Sequence, residues 1–157
     1  MSQQGIMVSR RAVLMGGLVL GFAGPAALAA TGNAAGAAAV RALGPWVRID
    51  PDGQVTVLIN ISEIGQGSST GVAQVIAEEL DADWSRIRTE QAPMQPTFYL
   101  ILDQYITADS SAIREQFTRL RMAGATARAM LVQAAAQVWK VPPTQCRTEA
   151  GQLRGAD

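Results

Sequence analysis

The chain has 157 residues, 13 basic and 13 acidic side chains, no histidine and one cysteine, Cys146. That length allows one domain, and the zero net charge gives no support for a nucleic-acid or acidic-membrane partner. A lone cysteine excludes an intramolecular disulfide, a four-thiolate iron–sulfur cluster and a C-x-x-C-H haem attachment, and without histidine a zinc site would need carboxylates alone.

Ser9-Arg10-Arg11-Ala12-Val13-Leu14-Met15 reads as a twin-arginine export signal, although Phe is commoner where Val13 stands. No residue from Ala12 to Ala30 is charged. Gly24 and Pro25 break this run after about thirteen positions, closer to a signal h-region than to a membrane span. Ala27-Leu28-Ala29 fits an A-x-A cleavage site before Ala30. Residues 1–29 are therefore expected to be a signal peptide leading to the periplasm or the periplasmic face of the inner membrane. An uncleaved anchor is the alternative. Residues 30–44, rich in Ala and Gly, are expected to be a flexible spacer, and 45–157 the folded domain.

Trp46–Ile49 and Gln54–Asn60 predict two strands joined by Asp50-Pro51-Asp52-Gly53, which is turn chemistry. Val55, Val57 and Ile59 point one way, and Thr56, Leu58 and Asn60 the other, so cover is expected on both faces. Then comes the stretch around which the domain is organised, Asn60-Ile61-Ser62-Glu63-Ile64-Gly65-Gln66-Gly67-Ser68-Ser69-Thr70-Gly71. A strand enters it and a helix leaves it, so its backbone N–H groups suit a phosphate or an oxygen bound to a metal. The spacing Gly65-x-Gly67-x-x-x-Gly71 misses the dinucleotide fingerprint, and no lysine follows to make a P-loop. A tight turn with a Ser or Thr N-cap is the plain alternative.

Val72, Val75, Ile76 and Leu80 form the stripe of the following helix, with Glu78 and Glu79 on its outer side. Asp81, Asp83 and Ser85 close it. Trp84 is expected to plug the core, and Ile87–Gln91 to form a third strand. Residues 92–105, with Phe98, Tyr99 and Tyr105, are irregular and either line a substrate entry or form a packed surface loop. Thr107-Ala108-Asp109-Ser110-Ser111 leads into a helix expected from Ala112 to Trp139. Its stripe is Ile113, Phe117, Leu120, Gly124, Ala127, Leu131, Ala134 and Val138. Ala123, Gly124, Ala127 and Ala134 let another backbone come close, and Arg114, Arg119, Arg121 and Arg128 lie outside. Val141-Pro142-Pro143 ends the helix, and a hairpin of Arg147–Glu149 with Leu153 follows. The expected fold class is α+β, a mixed sheet with two helices and an unpaired strand edge.

Glu63-Ile64-Gly65-Gln66-Gly67, the segment from Glu78 to Pro93 around Asp83-Trp84-Ser85, the Ala-rich helix and Cys146-Arg147 together resemble the molybdenum-cofactor subunit of the xanthine oxidase family. The similarity is to the branch of isoquinoline 1-oxidoreductase and membrane-bound aldehyde dehydrogenases, and it runs from about Trp46 to the C-terminus. It implies the incomplete first part of a molybdenum-cofactor-binding domain, holding molybdopterin in its cytosine dinucleotide form with molybdenum and no side-chain ligand to the metal. It implies that Gln66 is the catalytic-site glutamine that donates to an oxo group of the metal. Gly65 and Gly67 would let its backbone approach, and Ser68, Ser69 and Thr70 at the helix start would hold pterin or phosphate. In the family the Thr107 loop is typically Thr-Gly-Gly-Ser, a second loop near the pterin. Thr107 and Ser110 keep that pattern, whereas Ala108 and Asp109 replace both glycines. Arg114 is the arginine placed to meet a cofactor phosphate. Glu63 is not the family's general base, whose surrounding motif is absent here.

The resemblance further implies water-derived oxidation of aldehydes or N-heteroaromatics. The implied partners are the remaining domains of the large subunit, a small 2Fe-2S iron–sulfur subunit and a cytochrome c subunit. The chain is several times shorter than such large subunits, so an N-terminal fragment or truncated frame, inactive alone, is the expectation. Two alternatives stay open, a small exported anion-binding module and a non-functional remnant.

Overall fold

The computed structural model describes residues 7–9, 41–100 and 102–155. Most of the expected leader and spacer lies outside these residues. The strands are β1 (Met7–Ser9), β2 (Arg41–Ala42), β3 (Val47–Ile49), β4 (Val55–Ile59), β5 (Ile87–Gln91), β6 (Arg147–Glu149) and β7 (Gln152–Arg154). The helices are α1 (Ser68–Leu80), the single turn α2 (Ser111–Arg114) and α3 (Phe117–Trp139).

One sheet has the order β2-β3-β4-β5 and the other β1-β7-β6. β2, β3 and β4 are antiparallel, while β4 and β5 are parallel with Val55 opposite Ile87 and Ile59 opposite Gln91. The first sheet is therefore mixed, as expected, and the chain is an α+β domain. α1 is the crossover that parallel pairing of β4 and β5 requires. The sheet starts before residue 45, because Arg41 and Ala42 pair with Ile49 and Arg48, and Leu43 is buried. The backbone of Met7–Ser9, within the expected leader, pairs with β7.

Gly53, at φ +88°, closes the β3–β4 turn, and its amide donates to the carbonyl of Asp50 at 2.9 Å. Every residue of β4 is buried, so both faces are covered as the alternating apolar groups predict. α1 covers one face with Val72, Ala73, Ile76 and Leu80. On the other, buried Thr56 accepts from Nε of Arg88 at 2.7 Å, and the buried Asn60 amide donates to the carbonyl of Phe98 at 2.8 Å. α3 packs across α1, where Gly124 allows contact of the two helices.

Four expectations change. The helix expected from Ala112 to Trp139 is broken at Glu115–Gln116. Gln116 is buried, with φ −120°. Its side-chain amide donates to the carbonyl of Ala112, taking the acceptor that its own backbone N–H would use in a continuous helix. The stripe holds in the middle, where Leu120, Gly124, Ala127 and Leu131 are buried as expected, and changes at its ends: Ala135 and Ala136 are buried, while Phe117 and Val138 are exposed. Trp84 is 48% exposed rather than a core plug. Asp81 ends α1 in a left-handed conformation and Asp83 caps the 3-10 turn Trp84–Arg86, which leaves the indole beside the outer face of α1. Trp46 fills the core instead, edge-on to Phe98 with ring centroids 4.9 Å apart. Arg119 is not a solvated arginine: its guanidinium lies 5.0 Å over the Trp46 ring and donates to the carbonyl of Tyr99 at 3.0 Å. Burial lowers the pKa of that guanidinium from its ordinary value. Glu79 likewise faces α3, paired with Arg121.

Candidate functional site

The parallel strands β4 and β5 end on the same side of the sheet, and the loops that follow them meet there. Gly65 has φ +94° and Gly67 has φ +75°. A Cβ on either would meet nothing within 4 Å, so conformation rather than crowding demands glycine at these positions. Gly67 occupies the N-cap of α1, and no side chain caps that helix from its N-cap.

Glu63 does the capping. One carboxylate oxygen accepts from the amides of Gly65 at 2.8 Å and Gly67 at 2.9 Å, and the other from the amide of Ser69 at 3.0 Å. The Ser69 amide, then that of Gly67, hold this carboxyl below the usual glutamate range, with the Gly65 amide adding to them. Gln66 grips the same loop from the other side. Its Oε1 accepts from the Ile64 amide at 2.6 Å and its Nε2 donates to the Ser62 carbonyl at 2.9 Å. A primary amide has two N–H donors, so one of Gln66's is left over, on an exposed residue. Ser68, the first residue of α1, is buried, and its hydroxyl has no partner among the described residues.

The two loops named from sequence do meet. The Ser62 amide donates to Oγ1 of Thr107 at 2.8 Å, and Gly71 lies under Ile113 of α2. Asp109 and Ser110 both have left-handed backbone, at φ 54° and 51°. The second glycine of the expected Thr-Gly-Gly-Ser thus falls at a position whose backbone suits glycine, and Asp fills it here. Ser110 sits at the N-cap of α2 without a side-chain cap bond. Arg114 is turned to its neighbours: it pairs with Glu115 at 2.8 Å and Asp109 at 3.6 Å. Of the candidate residues, Gly65, Gln66, Gly67, Ser68 and Thr107 therefore share one loop cluster. Ser110 and Arg114 stand at its side on the second loop and α2. The role of Glu63 is new; its signal in the sequence is a carboxylate two residues ahead of Gly65 and six ahead of Ser69.

Among the described residues no group of three or more His, Cys, Asp and Glu side chains is placed to hold a metal ion. A metal at this cluster would have to arrive with its own ligand. The open space over Gly65 and Gly67 and the spare Gln66 N–H suit the rim of such a group.

A strand, a glycine loop folded around Glu63 and Gln66, and a helix tied to a second serine-rich loop define a cofactor-cradle type of α+β domain. Residues 15–156 match the molybdopterin cofactor-binding domain family. The chain belongs to that family and to the molybdopterin-binding subunits of the xanthine oxidase type. It is 40% identical over 130 residues to the beta subunit of isoquinoline 1-oxidoreductase from Brevundimonas diminuta, a match covering 81% of this chain and 17% of that protein. It is 34% identical over 101 residues to a membrane-bound aldehyde dehydrogenase (pyrroloquinoline-quinone) of Gluconacetobacter polyoxogenes, covering 64% and 12%. A nicotinate dehydrogenase subunit of Pseudomonas putida is 33% identical over 116 residues, covering 71% and 9%. The chain thus spans less than a fifth of each of these relatives.

Proposed function

We propose that this chain supplies one wall of the cofactor cradle in the catalytic subunit of an exported molybdenum hydroxylase. The substrates are aldehydes or N-heteroaromatics, and electrons leave through an iron–sulfur partner subunit. The observation that carries this reading is the Gln66 amide, fixed by Ser62 and Ile64 with one donor left over, beside two glycines that no side chain covers. A neutral donor is apt there, because a carboxylate would repel an anionic oxygen of the cofactor.

The molybdenum–pterin group, in its cytosine dinucleotide form, supplies the redox chemistry when bound, with oxygen drawn from water. The chain's own part is to bind and orient. Gln66 would donate its remaining N–H to an oxygen of the cofactor. The Thr107 hydroxyl, already accepting from Ser62, keeps its own hydrogen to give. Ser110 and Arg114 flank the cradle, where Arg114 would be the residue to meet a phosphate of the group. The twin arginines at 10 and 11 support export by the route that carries proteins already folded around a cofactor, hence a periplasmic location.

The test is co-expression of the 157-residue chain with a polypeptide carrying the remainder of a relative's large subunit. Purified complex is assayed for molybdenum and for oxidised pterin fluorescence. Stoichiometric molybdenum is the expected result. Complex without molybdenum overturns the reading. The Gluconacetobacter relative's name gives a second one, pyrroloquinoline-quinone, and finding that quinone in place of molybdenum would favour it.

A further inference from the structure

Two of the three amides gripped by Glu63, those of Gly67 and Ser69, are among the donors an anion would use at this helix start. The first turn of a helix leaves four N–H groups without intrahelical partners, and those groups with their partial positive charge make a natural phosphate seat. Here the Ser69 amide of that first turn, together with Gly67 and Gly65 ahead of it, already points at a carboxylate of the same chain. Hydrogen bonds to an ionised acceptor are the strong kind. Among the described residues Glu63 forms no ion pair; its partners are these N–H groups and the Ser69 hydroxyl.

The pattern of contacts interlocks. Glu63 holds the amides of 65, 67 and 69, while Gln66 holds the amide of 64 and the carbonyl of 62. Each side chain therefore fixes the turn on which the other stands. The left-handed conformations of Gly65 and Gly67 aim their N–H groups inward at Glu63, and the intervening Gln66 is exposed.

We propose that Glu63 is a built-in anion that shapes the glycine loop, keeps free phosphate off the N-terminus of α1, and positions Gln66. A cofactor then meets this loop through the Gln66 amide, and its phosphates are held elsewhere. Glu63 is a positioning residue, since it acts through the loop. The part concerning the cofactor rests on the function proposed above; the part concerning the anion seat stands without it.

The test uses the full chain without cofactor. Amide proton–nitrogen NMR spectra are recorded while pH falls from neutrality, and again with millimolar inorganic phosphate at neutral pH, for wild type and Glu63→Gln. In wild type the amides of Gly65, Gly67 and Ser69 should shift together, with a midpoint below that of an ordinary glutamate, and ignore phosphate. In Glu63→Gln that shared titration should vanish, and phosphate should move the same three signals. Independent or absent titration in wild type overturns the proposal. So does phosphate acting on both proteins alike, or on neither. If Glu63→Gln does not fold, the wild-type titration and its phosphate response decide alone. Because no molybdenum is involved, failure here leaves the hydroxylase reading untouched. Failure of molybdenum incorporation likewise leaves the Glu63 result standing.

Discussion

The amide of Ser62 reaches the hydroxyl of Thr107 at 2.8 Å, and this bond joins the glycine loop to the loop ahead of α2 across 45 positions of sequence. Thr107→Val keeps the shape and removes the acceptor. A hydrogen bond of this kind is worth about 0.5–1.5 kcal/mol net, so the unfolding free energy from urea titration should fall by that order. Hydrogen exchange at the Ser62 amide should quicken, and Thr107→Ser should restore both. An unchanged Ser62 amide in Thr107→Val would mean that the loops are held together by other contacts.

Gly124 is the second dependence. A Cβ there would stand 2.5 Å from the carbonyl oxygen of Ile76 and 2.9 Å from Cβ of Glu79. Neither neighbour is the far end of a flexible side chain, so α1 and α3 would have to separate. Overpacking of this sort costs about 1–3 kcal/mol. Gly124→Ala should lose that much in equilibrium unfolding, despite the better helix propensity of alanine. Ala125→Gly, on the exposed side of the same helix, should lose only about 1 kcal/mol from propensity. A neutral Gly124→Ala would show that the helices can move apart freely.

Asp109 stands at φ 54°, where a side chain other than that of Gly, Asn or Asp costs about 1–2 kcal/mol and Asp somewhat less. Its ion pair with Arg114 at 3.6 Å joins side chains 84% and 61% exposed, so solvent and salt leave it little weight. Asp109→Gly should therefore be neutral or stabilising by up to about 1 kcal/mol, after the larger entropy of the unfolded glycine chain is deducted. It also removes a negative charge from the mouth of the cradle. A clear loss of stability would mean that the Arg114 pair matters more than its exposure suggests.

Much of this arrangement is legible in the residues. Alternation gives β3 and β4, Asp50-Pro51-Asp52-Gly53 gives their turn, and the spacing from Val72 to Leu80 gives α1. Gly124 and Ala127 give the close helix crossing. What escapes has a common cause: a side chain competing with the backbone or with another side chain for one partner. Gln116 looks helical by periodicity but bonds the Ala112 carbonyl and breaks the helix. Arg119 looks like a surface charge but lies over Trp46, which also takes the core place that Trp84 seemed suited to fill. Glu63 looks like a loop carboxylate and proves to be the acceptor for three amides. Pattern reasoning sees which face a residue occupies, whereas these outcomes depend on which of several acceptors a donor reaches first.

Gln66→Glu separates the catalytic reading of the loop from a structural one. The new side chain keeps an oxygen to accept from the Ile64 amide and loses the donor to the Ser62 carbonyl. It also sets a second carboxylate in the loop that already carries Glu63. All these groups are exposed, so screening limits the loss to the order of one hydrogen bond, about 1 kcal/mol. On the function proposed above, the same change in the completed, molybdenum-loaded enzyme would replace a donor by a charge facing an anionic oxygen. Loss of one such donor in an active site commonly costs about 100-fold to 1000-fold in turnover. The expected pattern is a fall in kcat of that order, molybdenum content retained, and a Tm only a few degrees lower. Parallel losses of turnover, molybdenum and Tm would assign Gln66 to holding the loop together and nothing more.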